Sequence, residues 1–317
     1  MTDIRKCGIV GVGNVGASTA FSLMKSGLFS EMVLIDINRE RAAGEAADLN
    51  HGLPFLAPME IYAGDYKDLA NAGLVIITAG AAQKPGETRL DLVRANTRVF
   101  STIIEQICNY NTECILLVVT NPVDVLTEVT RRVSGFPSSR VIGSGTVLDT
   151  ARLKYLLGKR VGVDSRNVHA FIIGEHGDSE LPVYSSANIS GVDLNSFCGA
   201  QACLLNSDDL QKLFIEVRDA AYGIIRAKGA TYYAIAEAVR RIVTAIVRDE
   251  DAILPVSVLA NGHYGLGEIC ISLPAVVGRS GIMRVLDMPL SPKEKQLLHA
   301  SAAQITDVLN SLTLQKR

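Results

Sequence analysis

Strand-length apolar runs, each followed by a helical pattern, fill the first half of the chain and restrict its fold more than any other feature. The runs are Ile4 to Val10, Met32 to Ile37, Leu74 to Ala79 and Ile115 to Thr120. The last two have almost no polar interruption, as expected of strands buried on both faces of a parallel sheet. Helical patterns cover Asn14 to Ser26, with Gly27 as a stop signal, Arg39 to Asn50, and Asp91 to Tyr110. This alternation predicts an α/β fold built on a doubly wound parallel sheet.

The pattern changes near residue 143. Beyond it, a helix starts near Leu148, and Asn167 to Ile173 and Ile269 to Pro274 read as strands. Ser207 to Ala227 and Thr231 to Arg248 read as long helices, with Ser207 as the N-cap of the first and Asp208 and Asp209 in its first turn. Ser291, Pro292 and Glu294 mark the start of a last helix, running to Leu312. The expected division is a first domain over 1–143 and a second, α+β domain over 144–317.

A chain of 317 residues, 48% of them hydrophobic, has ample material for such cores. Its formal net charge of -2 offers no general attraction to nucleic acid or to an anionic membrane. An anionic ligand must therefore be caught by local geometry. The six cysteines form no CxxC pair, and several sit in apolar runs, which suits reduced thiols in the cytoplasm. No secretory leader is expected, and the apolar runs are too short to span a membrane.

Gly11-Val12-Gly13-Asn14-Val15-Gly16 follows the first strand directly and opens the first helix. Glycines there permit a tight turn and let the backbone approach a pyrophosphate at the helix N-terminus. Asp36 ends the second strand, 20 residues after Gly16. A carboxylate there accepts from ribose hydroxyls and repels a 2′-phosphate, which favours NAD over NADP. The expected first domain is thus a Rossmann fold. Arg41 is near enough to assist, or is simply an exposed helix residue.

Four further segments place polar residues where chemistry can use them. The stretch from Ala79 to Arg89 follows a strand and contains Gly80, Pro85 and Gly86. It reads either as a solvated loop or as a lid that carries Arg89 over a substrate. Thr120-Asn121-Pro122 also follows a strand, as an ordinary turn or as an amide aimed at a ligand oxygen. Asp149 and Arg152 share one helix face, as a local ion pair or as a carboxylate fork. Gly174-Glu175-His176-Gly177-Asp178 puts a histidine in a glycine-rich turn, where an unperturbed pKa of about 6.5 suits proton transfer. No second His or Cys stands at metal-ligand spacing, so no metal is expected.

Together, Gly-Glu-His-Gly-Asp, Leu-Asp-Thr-Ala-Arg and Thr-Asn-Pro, after the glycine fingerprint, resemble the lactate/malate dehydrogenase family over nearly the whole chain. The resemblance implies His176 as the proton carrier, Asp149 as its partner, Arg152 as the clamp on the substrate carboxylate and Arg89 as the group polarising the carbonyl. It implies Asn121 on the same oxygen and Thr231 lining the pocket, although Thr231 also reads as a helix N-cap. The NAD site would comprise Gly11, Gly13, Val15, Gly16, Asp36 and Arg41, with Tyr66, Gly80, Ala81, Asn121 and Ser144 further along. Tyr66 and Ser144 also read as ordinary loop residues.

Within that family, a loop arginine pairs the second carboxylate of oxaloacetate in the malate branch. Gln83 holds that position here and offers no charge, so the likeness points to pyruvate and L-lactate. Only ten residues precede Gly11, which is similar to bacterial members and unlike the vertebrate ones with a long arm. Many bacterial members bind fructose 1,6-bisphosphate between subunits through an arginine and a histidine. The matching positions here are Lys154 and His169, and lysine cannot fork a phosphate. The family implies a homotetramer or a dimer. The competing expectations are a malate or bulkier 2-hydroxy-acid dehydrogenase and, from a different class, a dinucleotide-binding protein without catalysis.

Overall fold

The computed structural model describes residues 2–81, 89–201 and 205–312. Its first six strands are parallel: β1 (Asp3–Val10), β2 (Glu31–Ile35), β3 (Glu60–Ala63), β4 (Ala72–Ile77), β5 (Ile115–Val118) and β6 (Val141–Gly143). They lie in the order β3-β2-β1-β4-β5-β6. The order reverses between β1 and β4, the point at which such sheets open a ligand crevice. Ile9, Leu74, Ile76 and Leu117 are fully buried in this sheet. Each contributes on the order of 2 kcal/mol relative to exposure. Their unbroken apolarity is explained by helices on both faces.

Those helices are α1 (Asn14–Ser26), α2 (Arg39–Gly52), α3 (Arg89–Tyr110) and α4 (Val123–Ser134). The second half supplies α5 (Val147–Val161), α6 (Leu194–Gln201), α7 (Ser207–Lys228), α8 (Tyr233–Arg248) and α9 (Pro292–Asn310). A small antiparallel sheet joins β7 (Val168–Ile173), β8 (Leu181–Ile189) and β9 (Val192–Asp193). It packs with α5 and α7 around Leu153, Leu157, Ile172 and Val217.

The remaining strands, β10 (Ala252–Leu259), β11 (Cys270–Gly278) and β12 (Gly281–Val285), are antiparallel to one another and extend the large sheet. The join is a single antiparallel pair, Ser257 against Gly143. Helix α8 likewise packs against α1 of the first half. The two halves of the chain therefore share one continuous sheet and one large apolar core.

Several helix starts depart from the expected ones. Asn206, not Ser207, caps α7: its side chain accepts from the Asp209 backbone N–H, and Asp209 answers at the cap. Thr231 caps no helix, because α8 starts only at Tyr233 with Tyr232 at its N-cap. Ser291 caps α9 as expected, with Glu294 completing the capping box. Cys7, Cys114, Cys198 and Cys270 are buried and Cys108 is half-buried. Among the described residues, no helix is long and apolar enough to cross a membrane.

Candidate active site

The glycine turn sits at the carboxyl end of β1. Gly11 has φ +92, and a Cβ on it would meet Ala79 Cα at 2.5 Å. At Gly16 a Cβ would lie 1.9 Å from the Gly11 carbonyl oxygen, so α1 can approach the strand only with glycine there. Gly13 differs, because a Cβ on it would meet nothing within 4 Å. Gly13 is also the N-cap of α1 and gives it no side-chain hydrogen bond. Open space in front of an uncapped helix N-terminus, beside half-buried Val15, fits a pyrophosphate.

Asp36 lies just past β2. Its Oδ2 accepts from the Val12 N–H at 2.8 Å and its Oδ1 from the Asn38 N–H at 2.9 Å. These bonds tie the carboxylate to the glycine turn, and each oxygen keeps a lone pair for a ribose hydroxyl. Tyr66 stands close enough to Asp36 to feel its charge; burial first, then that charge, raises its phenol above the ordinary range. Arg41 is exposed and 3.7 Å from Glu45, which matches the plainer reading of an outer helix residue. These residues fit NAD: the turn at Gly11, Gly13 and Gly16 would hold the phosphates and Asp36 the ribose.

The other strand ends complete the crevice. Gly80 and Ala81 follow β4, Asn121 follows β5 and Ser144, buried, follows β6. Buried Asn96 on α3 ties two of these ends together, which the sequence reading missed. Its Oδ1 accepts from the Ala81 N–H at 2.7 Å and its Nδ2 donates to the Asn121 carbonyl at 3.2 Å. The Asn121-Pro122 peptide is cis. Gln83 lies outside the described residues; Arg89 is the first residue of α3.

His176 is held from three directions. Gly174, at φ +94, bridges Ser272 on β11, donating to its carbonyl at 2.9 Å and accepting at 3.2 Å. The Glu175 N–H donates to Ser301 Oγ on α9 at 2.8 Å. The His176 N–H donates to Asp124 Oδ2 on α4 at 2.7 Å, and Ser272 Oγ donates to the other Asp124 oxygen at 2.9 Å. Burial pushes the Asp124 carboxyl up to about 6, against these hydrogen bonds.

The side chains then converge. His176 Nδ1 is 2.6 Å from Asp149 Oδ2, and Arg152 Nη1 is 2.8 Å from Asp149 Oδ1. Asp149 is 2% exposed. Burial alone would neutralise it, but the imidazolium and the guanidinium together hold its carboxyl below the usual carboxylate range. Burial also disfavours the imidazolium, yet the Asp149 carboxylate outweighs it and lifts His176 to about 9. With Nδ1 fixed, Nε2 is left to exchange a proton with a ligand oxygen. Buried Glu180 joins this cluster, its carboxyl within 4.8 Å of the ligating atoms of Asp149 and His176.

Sequence reasoning missed Asp124 and Glu180. Asp124 leaves a trace, a carboxylate between Val123 and Val125 on a helix that is otherwise apolar at its start. Thr231 is half-buried in the link between α7 and α8. Lys154, on α5, is partly buried, which lowers its ammonium below the ordinary range, and His169 is exposed on β7.

Residues 5–143 match the family model for the NAD binding domain of lactate/malate dehydrogenase. Residues 146–314 match the model for its alpha/beta C-terminal domain. The chain belongs to the lactate/malate dehydrogenase family. An L-lactate dehydrogenase of Acetivibrio thermocellus is 56% identical over 98% of this chain and 98% of its own. One from Priestia megaterium is 53% identical over 94% of each. Among solved structures, the minor L-lactate dehydrogenase of Enterococcus mundtii in a ligand-bound form superposes with a TM-score of 0.95 at 41% identity, covering 98% of this chain and 99% of that one. Membership accounts for an NAD-binding first half that carries the glycine turn.

Proposed function

We propose that this family member interconverts pyruvate and L-lactate with NAD. The observation that carries the reading is His176 Nδ1 locked 2.6 Å from Asp149, with Arg152 on the other carboxylate oxygen. The high identity to relatives named L-lactate dehydrogenase supports it. When bound, NADH supplies the hydride that reduces the carbonyl carbon.

The chain's own residues do the rest. His176 Nε2 donates the proton to the carbonyl oxygen of pyruvate and recovers it from lactate in reverse. Asp149 keeps the ring in the competent tautomer and stabilises the imidazolium. Arg152 forks the substrate carboxylate with its remaining N–H groups. Arg89 and Asn121 stabilise the charge that develops on the carbonyl oxygen. Thr231 lines the pocket, and Gln83, a neutral amide, offers a second substrate carboxylate no partner.

The cofactor lies along Gly11, Gly13, Val15, Gly16 and Asp36, with Tyr66, Gly80, Ala81, Asn121 and Ser144 beside its other half and Arg41 at the outer edge. We place the enzyme in the cytoplasm, as a homotetramer with a domain division near residue 143. Lys154 and His169 form a weakened fructose 1,6-bisphosphate site at a subunit contact, because lysine gives the phosphate one point of charge instead of a fork.

The test is NADH oxidation by the purified protein with pyruvate and oxaloacetate side by side. A large preference for pyruvate supports the reading. Preference for oxaloacetate keeps the His176 chemistry and overturns the substrate.

A further inference from the structure

Glu180 is the buried acid that the proposed proton transfer leaves unused. It is 5% exposed, and its Oε1 has no hydrogen-bond partner. Its carboxyl, the Asp149 carboxylate and the His176 imidazole come within 4.8 Å of one another. The loop fixes it there: its N–H donates to the Gly177 carbonyl at 3.3 Å, one residue past His176, and Leu181 behind it opens β8 and is buried.

Two acid side chains this close and this buried do not both ionise. Asp149 has the stronger claim to the negative charge, because His176 and Arg152 both bond it directly. We propose that Glu180 is a positioning residue that stays protonated through turnover and donates its O–H to the Asp149 carboxylate. This rests on the assignment of His176 and Asp149 as the proton-transfer pair.

Burial does most to raise the Glu180 carboxyl; among the charged neighbours Asp149 raises it, while His176 and Arg152 lower it. Asp149 and Arg152 face Glu180 from α5, and His176 faces it from its own loop. Asp124 on α4 acts on His176, and Arg218 on α7 feels Glu180 but spends its guanidinium on Asp219 at 2.9 Å. Burial, followed by the Asp149 charge, pushes the Glu180 carboxyl up to about 9. A neutral donor on Asp149 withdraws part of the electron density that Asp149 would otherwise offer His176. Glu180 thereby limits how strongly the imidazolium is held, and so how readily it gives its proton up.

The experiment compares Glu180→Gln and Glu180→Leu with the wild type. Infrared difference spectra of the NADH complex without substrate report a protonated-carboxyl C=O stretch. The band should be present in the wild type near neutral pH and lost in Glu180→Gln, whatever the enzyme turns over. Glutamine keeps a neutral donor, so the pH midpoint of kcat/KM should stay within about 0.3 units of wild type. Leucine removes the donor, and the midpoint should rise by about half a unit or more.

If Glu180 is instead ionised, the band is absent and Glu180→Gln lowers the midpoint by about one unit or more, because a nearby negative charge has gone. That result overturns the proposal. So does a Glu180→Leu profile that superposes on the Glu180→Gln one. Failure of the pyruvate reading alone would leave the infrared band in place.

Discussion

Asp149 divides its two oxygens between two cations: Oδ2 lies 2.6 Å from His176 Nδ1, and Oδ1 lies 2.8 Å from Arg152 Nη1. One buried carboxylate thus orients both the proposed proton carrier and the proposed substrate clamp. Losing it should damage two functions at once.

Asp149→Asn should lower kcat/KM for pyruvate by about 100- to 10,000-fold, as expected when a histidine loses its orienting carboxylate. The pH profile is the sharper readout. His176 must be protonated to reduce pyruvate, so the wild-type rate should hold at neutral pH and fall as pH rises through about 9. Lactate oxidation needs the neutral ring and should rise through the same range. In the Asn variant burial still disfavours the imidazolium and only weaker neighbouring charges such as Asp124 oppose it, so both midpoints should drop toward about 6.5. An unchanged midpoint would show that Asp149 does not set the charge on His176.

Arg152→Lys keeps the charge and discards the planar fork. Lysine can still reach Asp149 or the substrate carboxylate, but not both with paired N–H groups. The expected result is a rise of about 10- to 100-fold in KM for pyruvate, with NADH binding unchanged. Fluorescence titration with NADH alongside steady-state kinetics separates the two. A variant with normal pyruvate KM would take the clamp role from Arg152.

Two glycines of one turn should respond oppositely to alanine. At Gly16 the new Cβ would sit 1.9 Å from the Gly11 oxygen and 2.7 Å from Thr78 Oγ1, which forces α1 off the sheet. Gly16→Ala should cost about 2–4 kcal/mol of stability and lower Tm clearly. At Gly13 the Cβ has open space, and the backbone at φ -66 accepts any residue. Gly13→Ala should leave Tm within about 2 °C of wild type. Its cost should appear as weaker NADH binding, by about tenfold, because the methyl occupies space needed by the phosphates. Calorimetry with and without NADH resolves both effects, and equal Tm losses would refute the distinction.

The parts legible in the sequence are those that local chemistry determines. Gly11 and Gly16 announce the turn because no other residue fits there, and β4 and β5 announce themselves by unbroken apolarity. Antiparallel β10 to β12 were not readable as an extension of the first sheet, because the join is a single tertiary pair between Ser257 and Gly143. Helix α4 was not read from the sequence although Asp124, Thr127, Glu128 and Arg131 repeat at helical spacing; in the fold that polar stripe is itself buried as far as Glu128. At the site, resemblance united Asp149 and His176, which lie 27 residues apart. Spacing alone left Asp149 and Arg152 as a plain ion pair. Glu180 and Asp124 carry no local sign of their partners, because the contacts come from α4, α5 and the loop after β7. Asn206 displaced Ser207 as a cap for the simpler reason that two good capping residues stand side by side.

Gln83→Arg tests the substrate assignment directly. Gln83 lies outside the described residues, so the argument is one of charge. Oxaloacetate brings a second carboxylate, and burying it against a neutral amide costs several kcal/mol. Arginine would pair it bidentately, while pyruvate brings no second carboxylate to neutralise the added charge. The ratio of kcat/KM for oxaloacetate over pyruvate should therefore rise by about 100-fold or more. Most of the change should appear as lost pyruvate activity if the new cation is left unpaired, and as gained oxaloacetate activity if the fork forms. NADH binding should be untouched, since Asp36 and the glycine turn hold the cofactor independently. A ratio that does not move would mean that discrimination lies elsewhere in the pocket, with Thr231 the next position to substitute.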